Sequence, residues 1–488
     1  MVKNRDDFYE SIDSLHFCPI NCPHYVFLHM LPPPFIAQMQ RLLGDEAFTA
    51  FRAALEQPTP VSIRLNPRKS LQAGLPFLET DALVPWHPQG FYLGKRPIFT
   101  LDPAFHAGAY YVQEASSMFL HEALRQVVDF TKPLKVLDLC AAPGGKSTLL
   151  ASMMGEKGLL VANETIRSRT NSLRENLEKW GHPNVAVTSG EAEAFSELEN
   201  WFDVVVTDAP CSGEGLFRKD PNAVSEWSLD AVTLCAARQK RILSAAVECL
   251  APGGVLVFST CTYNSAENGD NVKWLSAEFG LEVLSLEIPA AWGIESRGGG
   301  YQFFPHKLRG EGFFIAVFRK LDSASSRKHA VSTFRSLSPL SKALIPEASR
   351  WLRHDADVKI FQTTMGNVLA LPADLENDFL LLDKHLKIKW FGTPIGEFKG
   401  KDFVPDHALA LSLLASEQLK GIDLSLEQAL RFLKKETFEL PEGSPTGWLL
   451  CRYGGLNLGW IKALPNRMNN YLPPERRIRM EIKSTTLA

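Results

Sequence analysis

This 488-residue chain predicts an α/β protein built around a doubly wound parallel sheet. Three observations predict it. Between residues 134 and 320, short apolar runs alternate with helix-length segments, the order of successive βα units. Runs such as Val204-Val205-Val206 suit strands covered on both faces. One expected strand runs into the turn Pro143-Gly144-Gly145, which opens a helix.

Taken in order, residues 1–30 look unlike the rest. His16, Cys18, Cys22 and His24 crowd together there, whereas structural zinc sites set two ligand pairs either side of a folded loop, so a loosely ordered extension is expected. Phe35, Ile36, Met39, Leu42 and Leu43 recur at helical spacing in a segment over 34–55. Strands at 61–67 and 90–93 complete a small α+β segment spanning 31–110, and a helix should end near Val128. In a domain over 111–320, strands are expected at 134–140, 158–163, 185–188, 203–207, 254–259 and 313–318. Helices are expected near 146–154, 165–180, 230–250 and 266–279. A serine-rich linker, 321–345, leads to a second globular unit, 346–488. In that unit Ser425-Leu426-Glu427-Gln428 has the form of a capping box, and residues 448–461 read as a β-hairpin about Gly454-Gly455.

A net charge of -3 excludes a polybasic molecule, so any nucleic-acid surface must be local. Arg64, Arg68, Lys69 and the basic stretch 462–483 are the candidates; Tyr110, Tyr111, Phe217 and Trp227 could stack on RNA, with core packing expected for most of them. The eight cysteines lack framework spacing, which points to a reducing, cytoplasmic setting. No stretch approaches the roughly 20 apolar residues of a membrane span, and no signal-peptide layout is present. A monomer is expected.

The glycine turn is not a P-loop, because Cys140 stands where the first glycine is required, and the dinucleotide fingerprint is absent. A ligand with a carboxylate and a ribose remains. Glu164, at the end of the next strand, is placed to accept ribose hydroxyls, which suggests S-adenosylmethionine. Cys211 follows Asp208-Ala209-Pro210, and Cys261 follows Ser259-Thr260. Both lie just past strand ends, where ligands bind in open α/β sheets. Cys235 and Cys249, at helical spacing, read as core. Two thiols in one crevice suit a pyrimidine: a thiolate adding at C6 makes C5 nucleophilic enough to take a methyl group. Asp208 is expected to supply a proton to ring N3, and Asn264 to Glu267 is expected to cap the following helix.

With these residues in place, the chain resembles the RNA 5-methylcytosine methyltransferases of the Sun type, within them the RsmF-like bacterial ribosomal RNA enzymes. The likeness runs from about Leu31 to Arg479. It is carried by Asp138-Leu139-Cys140-Ala141-Ala142-Pro143-Gly144-Gly145-Lys146, by Asp208-Ala209-Pro210-Cys211-Ser212-Gly213-Glu214-Gly215, by Arg218-Lys219-Asp220-Pro221 and by Ser259-Thr260-Cys261-Thr262. The resemblance implies a Rossmann-like class I methyltransferase sheet, a PUA-like C-terminal domain, S-adenosylmethionine as cofactor and small-subunit (16S) ribosomal RNA as partner. It implies Cys261 as nucleophile and Cys211 in product release. It implies Asp208 against the target base, with Lys146 and Lys219 close by. Cys140, Ala141, Ala142, Pro143, Gly144, Gly145, Lys146, Glu164, Arg169 and Asp208 are implied to line the cofactor pocket. The family commonly has Asp where this chain reads Glu191, the stand-in expected at the adenine. Transfer RNA as substrate, and a non-catalytic RNA-binding assembly factor, are the competing readings; reversed cysteine roles would resemble the Pro-Cys motif of DNA cytosine methyltransferases.

Overall fold

The computed structural model describes residues 31–69, 78–321 and 333–481. The ligand-rich stretch 16–24 lies outside the described residues.

The helical segment expected over 34–55 is two helices, Pro33–Leu43 and Asp45–Leu55. They break at Gly44, whose φ of 78° a residue with a side chain adopts only under strain. Their apolar faces bury Phe35, Met39, Phe48 and Phe51. A four-stranded sheet follows: β1 (Val61–Leu65), β2 (Thr80–Leu83), β3 (Gly90–Leu93) and β4 (Tyr110–Val112), in the order β2-β3-β1-β4.

The central sheet takes β5 (Lys135–Asp138), β6 (Leu159–Asn163), β7 (Val185–Thr188), β8 (Phe202–Asp208) and β9 (Leu250–Thr260), all parallel. Side chains alternate across it. Val136, Val204, Val206 and Val257 pack beneath helices Phe119–Val127, Gly145–Met154 and Arg167–Trp180. Leu137, Val205, Leu256 and Phe258 pack beneath Leu229–Cys249 and Gly269–Phe279 on the other face. This is the doubly wound arrangement expected, but it holds only at the centre. After β9 the chain forms β10 (Glu282–Val283), β11 (Glu295–Arg297), β12 (Gly300–Phe303) and β13 (Phe313–Arg319) with no crossover helix between them. The short links join β11 to β12 and β12 to β13 as antiparallel pairs, and β13 also runs antiparallel to β9.

Beyond residue 332, β14 (Leu337–Pro339), β15 (Val358–Thr363) and β16 (Asn367–Pro372) begin a five-stranded sheet completed by β18 (Thr393–Lys399) and β19 (Asp402–Pro405). Between them β17 (Ile388–Phe391) leaves that sheet and pairs antiparallel with β7, which gives the central sheet the path β11-β12-β13-β9-β8-β5-β6-β7-β17. A last sheet holds β20 (Gly421–Asp423), β21 (Gly447–Tyr453), β22 (Leu456–Leu464) and β23 (Arg467–Asn470). The expected capping box is complete: Ser425 Oγ accepts from the Gln428 N–H, and Gln428 Oε1 from the Ser425 N–H. One core joins this sheet to the N-terminal one, with Ile63, Leu93 and Tyr110 packed against Ile422, Leu449 and Ile461.

Two basic residues read as surface candidates are interior. Arg64 is buried and donates to Gln113 Oε1, the Gly145 carbonyl and Thr148 Oγ1. Burial pulls its guanidinium down to about 9. Lys69 Nζ donates to the carbonyls of Ala107, Lys179 and Leu411, tying three parts of the chain together. Arg68 pairs with Glu156, and Arg476 in the basic stretch pairs with Glu178 of the helix Arg167–Trp180. Arg467, Arg477 and Arg479 remain exposed.

Candidate active site

The carboxyl ends of β5, β8 and β9 open on one crevice. Asp208 ends β8 opposite Ser259 of β9, so the loops bearing Cys211 and Cys261 leave the sheet side by side. Their sulfurs stand 3.0 Å apart, and the Cys261 N–H donates to the Cys211 sulfur at 3.4 Å. The following residues meet as well, with the Ser212 and Thr262 hydroxyls 3.2 Å apart. The Cys261 sulfur beside it, then burial, then the charge of Glu267 push the Cys211 thiol up. Either sulfur can donate in the contact they share.

Lys146, in the first turn of its helix, reaches across so that Nζ sits 2.7 Å from Asp208 Oδ2 and 5.3 Å from the centroid of Phe313. Ser259 Oγ donates to Asp208 Oδ1 at 2.7 Å. Both oxygens of Asp208 thus accept hydrogen bonds. Asp208, expected as the proton donor to the base, is paired here with the Lys146 ammonium, which carries three N–H groups. Lys219 is exposed, and among the described residues no side-chain contact ties it to either sulfur or to Asp208.

The glycine turn lies beside this pair. Gly144 has φ 111° and caps the helix that starts at Gly145. The carbonyls of the turn are held from behind: Arg169 donates to Ala142 at 2.7 Å, Asn176 to Pro143 at 2.9 Å and Arg64 to Gly145 at 3.2 Å. Glu164 is buried, with Oε1 accepting from the Ile166 N–H and Oε2 facing Arg169 at 3.4 Å. Glu191 stands apart from these: its carboxylate is 64% exposed and faces Arg241 at 3.7 Å. Burial raises the Cys140 thiol out of the reactive range, so Cys140 belongs to the turn and not to the thiol pair.

Asp138, at the end of β5, accepts from Ser147 Oγ through Oδ2 at 2.6 Å, while its buried Oδ1 has no partner. A buried oxygen without a donor is costly, so it marks a place where one is supplied from outside. S-adenosylmethionine fits this donor set. Asp138 Oδ1 would take its ammonium, the helix N-terminus behind Gly144 its carboxylate, and Glu164 its ribose.

Comparison with known proteins places this geometry. The family model described as 16S rRNA methyltransferase RsmB/F matches residues 126–319. The N-terminal domain of 16S rRNA methyltransferase RsmF matches 31–115, and the RsmF PUA domain 420–478. A ribosomal RNA small subunit methyltransferase F from Erwinia tasmaniensis is 32% identical over 466 residues, covering 91% of this chain and 96% of that protein. The chain belongs to the RsmF family of 16S ribosomal RNA methyltransferases. The relative from Vibrio vulnificus is also 32% identical, over 91% of this chain and 97% of its own. Among solved structures, a methyltransferase homologue from Pyrococcus horikoshii is 31% identical with a TM-score of 0.50 over 60% of this chain and 100% of its own. NSun6 from the same organism, solved with SFG, shares the fold at 23% identity and a TM-score of 0.53, over 61% of this chain and 100% of that one.

For this RsmF-family member, sequence reasoning missed the residues that hold the two cysteine loops together. Glu267 does not cap the next helix, which starts at Gly269 after an N-cap, Asn268, that makes no side-chain cap bond. Its carboxylate crosses instead to the other loop and accepts from the Ser212 N–H at 2.8 Å and Ser212 Oγ at 2.5 Å. Glu214 stood in a quoted motif, yet nothing in the sequence names its partners. Buried Asn163 was also missed: it bonds Leu139 O, Gly190 O, Gly190 N and Thr188 Oγ1, locking the ends of β5, β6 and β7.

Proposed function

We propose that this protein methylates C5 of a cytosine in small-subunit (16S) ribosomal RNA, with Cys261 as nucleophile and Cys211 assisting release. One observation carries the reading: two sulfurs 3.0 Å apart at the carboxyl ends of β8 and β9, beside a glycine turn with an unpaired buried carboxylate oxygen. Membership of the RsmF family supports the substrate.

The Cys261 sulfur adds to C6 of a cytosine taken out of its stack. The Lys146 ammonium, held by Asp208, hydrogen-bonds the ring as charge develops there. S-adenosylmethionine supplies the electrophilic methyl group that C5 takes. Solvent water takes the C5 proton, and the electron pair left behind re-forms the C5–C6 double bond and expels the Cys261 thiolate, which the neighbouring Cys211 thiol stabilises by a hydrogen bond. The turn residues 140–146, Glu164 and Arg169 orient the cofactor, and Glu191 sits at the outer rim of that site. The N-terminal sheet and the C-terminal unit, which share one core, would hold the RNA, with one chain acting alone in the cytoplasm. Among the described residues no helix is long and apolar enough to cross a membrane.

Methylation of purified 16S RNA and of assembled small subunits, followed by mapping of 5-methylcytosine, tests this. A single modified cytosine in either substrate is expected. Methylation confined to transfer RNA, or tight RNA binding with no methyl transfer, would overturn it.

The cofactor site carries a pH signature. Burial raises the Asp138 carboxyl to about 7, with Ser147 and Lys146 opposing the rise and Asp208 and Glu164 adding to it. Only the ionised form attracts an ammonium. Affinity for S-adenosylmethionine should therefore climb as pH rises through that value, by about eightfold between about pH 6 and pH 7.5. Calorimetric titration at several pH values measures it, and Asp138→Asn should lower affinity and flatten the dependence.

A further inference from the structure

The two cysteine loops exchange carboxylates. Glu214, on the Cys211 loop, reaches the Cys261 loop and accepts from the N–H groups of Tyr263 at 2.9 Å and Asn264 at 3.1 Å. Glu267, on the Cys261 loop, reaches back and accepts from the N–H and hydroxyl of Ser212. Both carboxylates are fully buried. Their remaining donors are also neutral: Gln38, Trp227 and the Asn264 amide for Glu214, and Asn264 and Gln239 for Glu267.

Burying a carboxylate with only neutral donors is costly when an apolar residue of similar size would fill the space. Two at one site, joined reciprocally across the loops that carry the reactive sulfurs, need a use there. The sulfurs themselves have only weak sulfur hydrogen bonds, their mutual contact and the Cys261 N–H on the Cys211 sulfur, to set their separation. The clamp beneath supplies the stiffness: moving either loop breaks charge-assisted bonds to backbone N–H groups of the other. Burial pushes the Glu267 carboxyl up, while its bonds from Ser212 and Asn264 oppose the rise; in its ionised form it also disfavours a thiolate nearby. Glu267 holds the residue next to Cys211, so its charge bears on Cys211; Glu214 holds the two residues after Thr262.

We propose that Glu214 and Glu267 are positioning residues for the two-thiol chemistry, which set the sulfur separation, and that Glu267 biases the shared proton onto Cys211. The roles of the cysteines then follow from the clamp. Cys211 remains a thiol able to hydrogen-bond a leaving sulfur, and Cys261 is left as the nucleophile. The upward push on Cys211 that includes the Glu267 charge agrees with this. Gln38 adds a consequence. It sits on the first N-terminal helix and bonds Glu214 at 3.0 Å, so the helix pair is linked by one side chain to the loop of the nucleophile.

This inference rests on the proposed pairing of the thiols on one pyrimidine, yet its test needs no RNA. Alkylation of each cysteine by iodoacetamide is followed by mass spectrometry against pH in the full chain, with buried Cys249 and Cys451 as internal standards for folding. In Glu267→Gln the Cys211 profile should move to lower pH, with little movement at Cys261. Single-turnover methyl transfer should slow at least about tenfold, with KM for RNA unchanged. If Glu267→Gln exposes Cys249 and Cys451, Glu267→Asp keeps the charge and withdraws it by one methylene. That variant should leave the Cys211 profile in place and still slow methyl transfer. Unchanged Cys211 alkylation in Glu267→Gln, or an unchanged transfer rate in Glu267→Asp, would overturn the proposal. Normal thiol profiles together with absent methyl transfer to every RNA would instead count against the proposed function.

Discussion

Cys211→Ala should accumulate protein covalently joined to RNA, whereas Cys261→Ala should form no adduct at all. The expectation follows from the division of the shared hydrogen bond. With the two sulfurs 3.0 Å apart, the proposed division has Cys261 attack and Cys211 donate its proton to help it leave. Removing the attacking group abolishes the first bond, and methyl transfer should fall by at least about 10⁴-fold, the scale on which enzymes lose rate with their nucleophile. Removing the assisting group leaves attack and methylation intact and slows only elimination. A denaturing gel of enzyme incubated with labelled 16S RNA and S-adenosylmethionine separates the two cases, since the adduct migrates as a slow band. An adduct in Cys261→Ala and none in Cys211→Ala would reverse the assignment. Because each side chain is partly buried and neither supports a strand, both variants should keep the wild-type melting temperature.

What could be read from sequence divides along physical lines. The five parallel strands were visible because strands buried on both faces are written as apolar runs, and the turn at Pro143-Gly144-Gly145 because glycine has few other uses at a strand-to-helix junction. The meeting of Cys211 and Cys261 was visible because both follow strand ends of one sheet. Residues whose roles depend on distant partners were not. The Asn264-to-Glu267 spacing is that of a capping box, and only the approach of Ser212 from another loop shows where the carboxylate goes. Arg64 and Lys69 carry charge in the sequence but spend it on interior carbonyls, a burial that charge alone does not announce. β17 could not be assigned to the central sheet, because its pairing with β7 joins segments far apart in the chain and no local signal encodes it.

Gly215→Ala should cost more activity than any other single methyl group added near the site. Gly215 donates its N–H to the Cys261 carbonyl at 2.8 Å. A Cβ there would lie 2.4 Å from the Gly312 carbonyl oxygen and 2.8 Å from that of Cys261. Those are backbone atoms, with no side-chain rotamer to relieve them. Gly312 cannot retreat, since it already packs so tightly on Tyr263 that a Cβ of its own would stand 2.2 Å from the phenol oxygen. Tyr263 is in turn stacked on Phe304 with ring centroids 5.5 Å apart, and its N–H is held by Glu214. The remaining relief is movement of the Cys261 loop itself. A displacement approaching an ångström at a reacting atom costs on the order of 100-fold in rate, and overpacking of this kind costs about 1–3 kcal/mol of stability. Cofactor affinity should be unaffected, because the turn at Gly144 lies on a different strand end. Gly213→Ala is the matching control. Gly213 has φ 76°, but the nearest atom to an added Cβ is a Leu216 methyl at 3.7 Å, so only the left-handed backbone penalty of about 1–2 kcal/mol applies. Single-turnover rates should thus separate the two variants by tenfold or more, on the order of the positional penalty, at similar melting temperatures. Equal rates would mean that the close approach of the Gly215, Cys261 and Gly312 backbones does not fix the nucleophile.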